Sequence, residues 1–264
     1  MKLSWRIFLS GTALLALAQA GRGQSVSYWR VYKVDDGLHQ SACVAVSVAP
    51  NGKVLAKHPG GMSATELDGY TVTTVALPEP AEEVSESPGG QLWAIVRNGL
   101  QQKVKPDTWV AYAVPDIAAG FNILAPLYPT RQGHVLFLLD DRLMDFNVEN
   151  PEHPQTQALL RCDQTRLGKF TDLVVARNGG LWITGERGLG KASKLDNVWT
   201  DYLPPESLQI QNLREPREDD EGGVTVVAES SAGGQAVVAR FDGTGWTALP
   251  AGAEKIRRAG QLRG

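Results

Sequence analysis

The phrase GGQLWAIVRNGL at residues 89–100 returns at residues 179–189 as GGLWITGERGL, and weaker copies run along the chain. Their shared core is a glycine, any residue, Leu or Val, and then usually a large apolar residue. It reads Gly52-Lys53-Val54-Leu55, Gly90-Gln91-Leu92-Trp93, Gly133-His134-Val135-Leu136, Gly179-Gly180-Leu181-Trp182 and Gly222-Gly223-Val224-Thr225. Successive glycines lie 38, 43, 46 and 43 residues apart. Self-similarity at such a period marks an array of supersecondary units, each burying its apolar face on the next copy.

The content of one period fixes the unit. Before each glycine stands a strand-like run, as in Val44–Val48, Glu83–Ser87 and Leu173–Ala176, followed by a turn of Pro, Asn and Gly. Glycine accepts positive φ and lets two strands reverse tightly, so each glycine closes a hairpin. A third short strand follows, then a fourth with its own mark: Trp109 to Tyr112, Trp199 to Tyr202, and more loosely Trp246 to Leu249 and Tyr70 to Leu77. Pro78, Pro115, Pro204 and Pro250 stand at the ends of these strands, and proline cannot donate to a ladder. Four short antiparallel strands in about forty residues is the arithmetic of a propeller blade. The expected fold is therefore all-β, a β-propeller of five four-stranded blades at about 35–78, 79–115, 116–160, 169–205 and 213–250, with a partial sixth at 251–264. Trp93 and Trp182, on second strands, are expected to fill the space between blades.

Both ends echo the repeat. SYWRVYKV spaces Trp29 and Tyr32 like Trp109 and Tyr112, so it reads as a fourth strand without its first three. At the other end LPAGAEKIRRAGQL parallels LPEPAEEVSESPGGQL of residues 77–92. That places an inner strand at about Ala253–Arg258 and a sixth unit at its start. The expectation is an open ring or a strained five-blade closure, and a natural protein that continues past Gly264.

Residues 1–20 read as a secretory signal peptide: Lys2 and Arg6 precede the apolar run Ala13–Leu17, and Ala18-Gln19-Ala20 offers small residues for cleavage. Residues 21–27 read as a linker, and residues 28–264 as the exported propeller, periplasmic or extracellular. No later stretch approaches the roughly 18 apolar residues a membrane span needs. The whole chain has 26 basic and 29 acidic residues, and losing the leader moves the net charge from −3 to −5, which speaks against nucleic acid as a partner. In an oxidising compartment the two cysteines, Cys43 and Cys162, fall in different units, so they read as two small buried thiols rather than a bridge.

Chemistry has little foothold. His39, His58, His134 and His153 share no short metal motif, and no metal or cofactor is expected. Glu218-Asp219-Asp220-Glu221 lacks the alternating ligands of a calcium loop and falls on a first-hairpin turn, where a solvated face is the simpler reading. No helix start follows Gly89-Gly90 or Gly179-Gly180 to cradle a phosphate, and no nucleophile elbow occurs. In a propeller the turns between second and third strands gather with the inter-blade links on one face, around the channel mouth. That set supplies His58, Arg97, Asp140, Arg142, Glu186 and Arg187, with Asp36 and His39 on the opening link. Loops on a rigid scaffold are where binding concentrates, so these eight are the candidate ligand site.

The opening WRVYKVDDGL, the repeated Gly-Gly-Leu-Trp-Ile core and the Gly-Leu pairs at Gly99-Leu100 and Gly188-Leu189 resemble the two-component regulator propeller repeats. The third unit, with Leu136-Phe137-Leu138-Leu139, and the fifth, with Val224-Thr225-Val226, depart from that pattern. The resemblance implies the extracytoplasmic sensor of a receptor, often a hybrid histidine kinase, joined to the membrane through downstream segments and homodimeric at full length. It implies a non-catalytic, ligand-sensing segment for a small molecule or saccharide. The alternatives are a stand-alone secreted scaffold that binds carbohydrate or protein and, last, a propeller lyase or glycosidase.

Overall fold

A computed structural model describes residues 31–49, 51–105, 108–120, 126–131, 133–192 and 198–249. The leader, the linker, Trp29 and the sixth-unit stretch at 251–264 lie outside the described residues. Among the described residues twenty strands form five four-stranded antiparallel sheets in propeller arrangement, each with its strands in chain order. Blade 1 holds β1 (Ala45–Val48), β2 (Val54–Lys57), β3 (Ser63–Leu67) and β4 (Val72–Ala76). Blade 2 holds β5 (Ala81–Glu86), β6 (Leu92–Val96), β7 (Gly99–Lys105) and β8 (Thr108–Ala113). Blade 3 holds β9 (Leu127–Arg131), β10 (His134–Leu138), β11 (Arg142–Asn147) and β12 (Gln155–Arg161). Blade 4 holds β13 (Phe170–Val175), β14 (Leu181–Gly185), β15 (Leu189–Ala192) and β16 (Trp199–Tyr202). Blade 5 holds β17 (Ile210–Glu218), β18 (Val224–Ser230), β19 (Ala236–Phe241) and β20 (Trp246–Ala248).

The repeat glycine has one physical cause. Gly52, Gly90, Gly133, Gly179 and Gly222 all take φ between 73° and 85°, the left-handed conformation that closes each first hairpin. The second glycine signature has another. A Cβ on Gly99 would collide with the Tyr112 carbonyl oxygen, and one on Gly188 would lie 2.9 Å from that of Tyr202. Only glycine lets the third strand approach the fourth so closely.

Facing follows the motif position. The residue two past each glycine looks to the preceding blade and the residue three past looks to the following one. Leu92 packs with Leu55 and Ala64 of blade 1, whereas Trp93 packs with Val135, Phe137 and Phe146 of blade 3. Leu136 and Leu181 share the cluster between blades 3 and 4, and Trp182 and Val224 the cluster between blades 4 and 5. Trp93 and Trp182 are 0% and 2% exposed. Trp93 lies 6.0 Å from the Tyr112 ring and meets Phe146 edge-on at 6.1 Å; Trp182 lies 6.1 Å from Tyr202. Aromatic pairs at such spacing add about 0.5–1.5 kcal/mol to their burial. The departures in units three and five keep this alternation, which is why they still form blades.

Two features differ from expectation. The link between blades 2 and 3 contains a short helix, α1 (Pro115–Gly120), which buries Ile117 in the cluster between those blades. Both cysteines are free, and Cys43, two residues before β1, is exposed rather than buried. Among the described residues no apolar cluster joins blade 5 to blade 1. Blade 1 instead turns Ala56 and Leu67 toward Leu38 and Tyr32 of the segment before it. No helix among the described residues is long and apolar enough to cross a membrane.

Candidate functional site

On the face where the inter-blade links gather, a cleft of about 450 Å³ opens between blades 4 and 5. Such a volume falls within the usual range of ligand sites. Its walls are the β14–β15 turn with Glu186 and Arg187, the link with Pro204, Pro205 and Glu206, the start of β17 at Gln209 to Gln211, and Ser231 with Ala232 on the β18–β19 turn.

Backbone bonds hold these walls. Glu186 N donates to Lys169 O at 2.9 Å and Arg187 N to Leu167 O at 2.8 Å. Asn212 N donates to Glu186 O, and Ser231 N to Gln209 O, both at 2.7 Å. Gly168, at φ 76°, lets the Glu186 side chain fold back, where a Cβ would come within 2.8 Å of Glu186 Oε2. That carboxylate accepts from Lys169 N at 3.3 Å. Arg187 is exposed, and among the described residues its guanidinium has no ion-pair or hydrogen-bond partner.

β17 is the irregular wall. Gln209, Asn212 and Glu215 have φ of 48°, 52° and 51°, the only non-glycine residues in the left-handed region among those described. Two register shifts, at Gln211/Arg214 and Arg214/Arg217, put an extra residue into the strand each time. Bulges bend a strand and re-aim its side chains, and strained backbone gathers at functional sites. The Asn212 amide donates to Glu229 Oε2 at 2.8 Å and Arg214 to Oε1 at 3.1 Å, and these two bonds, in that order, hold the Glu229 carboxyl below its ordinary pKa. The cleft thus offers a free guanidinium, two glutamines and a hydroxyl beside the apolar surfaces of Pro204, Pro205 and Ile210. This suits a polar ligand with an apolar side, held by hydrogen bonds.

The sequence-expected residues divide. Glu186 and Arg187 line the cleft. Asp140 and Arg142 sit at the blade 3 rim and are engaged, Asp140 with Lys169 at 2.9 Å and Arg142 with Asp141 at 2.9 Å and Asp116 at 3.1 Å. Arg97 is exposed on the β6–β7 turn, away from the cleft. Asp36 and His39 are exposed on the opening segment. His58 is fully buried, with Nδ1 2.9 Å from Ala42 O and Nε2 2.7 Å from Thr65 Oγ1, so it braces blade 1, and its ring lies 5.9 Å from that of His39. Pro204, Pro205, Gln209 and Gln211 were not anticipated, because prolines at a strand end read only as a stop.

Around the channel the inner strands carry carboxyls out of their ordinary range. Glu83 on β5 is pushed up to about 7, chiefly by burial, with Lys57 opposing and Asp172 adding to the shift. Asp172 on β13 is raised by burial, although Leu173 N and Glu215 N donate to it. Among the described residues no group of three or more His, Cys, Asp or Glu is arranged to hold a metal ion.

No protein-family model and no curated protein matches the chain. Solved structures do. A catalytically inactive virginiamycin B lyase from Staphylococcus aureus, with quinupristin, superposes with a TM-score of 0.58 at 13% identity, over 78% of this chain and 69% of that one. The extracellular domain of a protein assigned as a hybrid two-component system of B. thetaiotaomicron gives 0.53 at 9% identity over 87% of this chain. The present chain spans only 30% of that domain. A gluconolactonase from Xanthomonas campestris gives 0.51 at 9% identity, over 72% and 70% of the two chains. At such identities the likeness establishes the propeller fold that sensors and enzymes share.

Proposed function

We propose that the chain is a ligand-sensing propeller segment of an exported two-component receptor, binding a saccharide or another small polyhydroxylated molecule in the cleft between blades 4 and 5. The observation that carries this reading is the joining, on one rim, of a free Arg187 with Gln209, Gln211 and Ser231 beside Pro204 and Pro205. Glutamine amides both donate and accept, as sugar hydroxyls do, and the proline rings give the C–H face of a sugar an apolar surface. The repeat resemblance and the sensor-domain likeness support the receptor context.

The test is calorimetric titration of the exported chain with a panel of plant and bacterial oligosaccharides. One member should bind, and Arg187→Ala should weaken it by about tenfold or more, the worth of one hydrogen-bonded charge. Arg97→Ala, on a different turn, should leave it unchanged. A bound saccharide indifferent to Arg187→Ala removes the cleft, and a panel with no binder removes saccharide sensing.

A further inference from the structure

Blades 4 and 5 and the link before them neutralise their arginines one by one. Arg166 pairs with Asp201 at 3.7 Å, Arg177 with Asp220 at 2.6 Å, Arg214 with Glu229 at 3.1 Å, Arg217 with Glu215 at 3.3 Å and Arg240 with Asp219 at 2.7 Å. Lys169, whose carbonyl holds Glu186 N, pairs with Asp140 at 2.9 Å. Among the described residues of this region Arg187 is the one arginine that no carboxylate meets, and it is the one that lines the cleft.

Its acidic neighbours are occupied. Glu186 Oε2 accepts from Lys169 N at 3.3 Å, and the Glu229 carboxylate is met by Asn212 and Arg214. The arginine itself is seated. Its N–H donates to Leu167 O at 2.8 Å, and its side chain lies over Gly168, where a Cβ would come 3.4 Å from Arg187 Nε. A guanidinium on a fixed turn gives up little freedom on pairing, and the planar two-oxygen face of a carboxylate matches its fork of donors.

We infer that the ligand of this cleft carries a single carboxylate, held by Arg187, so that the sugar recognised is a uronate-bearing one. The inference rests on the saccharide reading above and narrows it. A single carboxylate follows from the walls. Glu186 and Glu206 bring two negative charges to the cleft against one guanidinium, and like charges across an interface turn away a polyanion. A phosphate fits less well, because it brings nearly two charges and no lysine or second arginine is among the described residues that line the cleft. Gln209, Gln211 and Ser231 are left for the ring hydroxyls.

Calorimetric titration of the exported chain with matched probes tests it. Glucuronosyl-xylobiose and galacturonosyl-rhamnose carry one carboxylate each, and their methyl esters keep the shape and lose the charge. At least one of the two acids should bind about tenfold or more tighter than its ester, and trigalacturonate should bind more weakly than that acid. Raising sodium chloride from about 50 to about 500 mM should weaken the acid several-fold and leave the ester unchanged. Arg187→Gln keeps an amide donor and removes the charge, so it should bring acid and ester to within about twofold of each other, while Arg187→Lys should keep part of the preference. An unchanged Tm shows that the variants fold. Equal binding of acid and ester, a preference that survives Arg187→Gln, or tighter binding of glucose 6-phosphate would each overturn the carboxylate and leave the cleft reading standing. Silence of both acids would overturn it too, and the saccharide reading falls with it only if every neutral sugar is also silent.

Discussion

The two ends of the blade row are finished in opposite ways. Blade 1 turns outward an apolar sheet, with Ala56 and Leu67 buried under Leu38 and Tyr32, while Val44 just before its inner strand and Val46 and Val48 on it remain 58%, 60% and 68% exposed. Blade 5 turns outward Thr225 where blades 2 and 4 carry Trp93 and Trp182, and surrounds it with paired arginines and carboxylates. One position in the repeat therefore decides whether a blade can receive a full neighbour. A tryptophan there demands another sheet; a threonine makes a shallow face that a single strand or water can cover. Repeat arrays need such terminal units, because each internal unit leaves a face that only its neighbour can bury.

The largest effect should come from that position. Trp182→Ala empties the space against Leu189, Tyr202 and Phe241, and the loss should be about 3–5 kcal/mol, as for other buried tryptophans. Thr225→Ala, at the same place in blade 5, should cost under about 1 kcal/mol in urea unfolding at pH 6. Equal losses would show that the last blade is covered as deeply as the inner ones.

Next comes Glu83, which reports whether water reaches the channel. Its carboxyl titrates at about 7 in the folded chain against an ordinary 4.5, so the folded state keeps a proton that the unfolded state has lost across that window. Stability is then fully present below pH 4.5 and falls as pH rises through 7, by about 3 kcal/mol at most at 1.36 kcal/mol per unit. Asp172, also raised, bends the curve the same way. Glu83→Gln should remove most of this slope and raise Tm at pH 8 more than at pH 5. A flat wild-type profile would mean that the channel is wet and the carboxyl ordinary.

A smaller loss tests the covered part of blade 1. Leu38, 8% exposed, fastens the opening segment onto Ala56 and Leu67, so Leu38→Ala should cost about 2–3 kcal/mol and increase binding of a hydrophobic dye. If stability holds, the segment is not a cap.

These contrasts also show what the residues disclose before folding. The repeat glycines and Trp93 and Trp182 were legible because each answers to a local rule, a left-handed turn or a ring that must be buried. Glu186 and Arg187 could be found by counting from Gly179. Gln209, Asn212 and Glu215 could not, since left-handed glutamine, asparagine and glutamate are unfavourable alone and are held by bonds from other strands, such as Asn212 N to Glu186 O. The burial of His58 was not legible for a related reason. Its place in the order of strands says nothing of the Ala42 O and Thr65 Oγ1 partners that its imidazole finds.

The smallest expected effect bears on the bare end of blade 1. Val46 gives up little water on folding, so Val46→Ser should change stability by no more than about 0.5 kcal/mol. Its consequence should appear between molecules instead. β1 presents alternating valines on an inner strand that, among the described residues, pairs on one edge only, and exposed apolar edges pair with other chains. The serine variant should stay monodisperse in light scattering at concentrations where the parent begins to associate, while its unfolding curve overlays the parent's. A large loss of stability with no change in association would mean that Val46 is covered in solution, and that both ends of the row are closed.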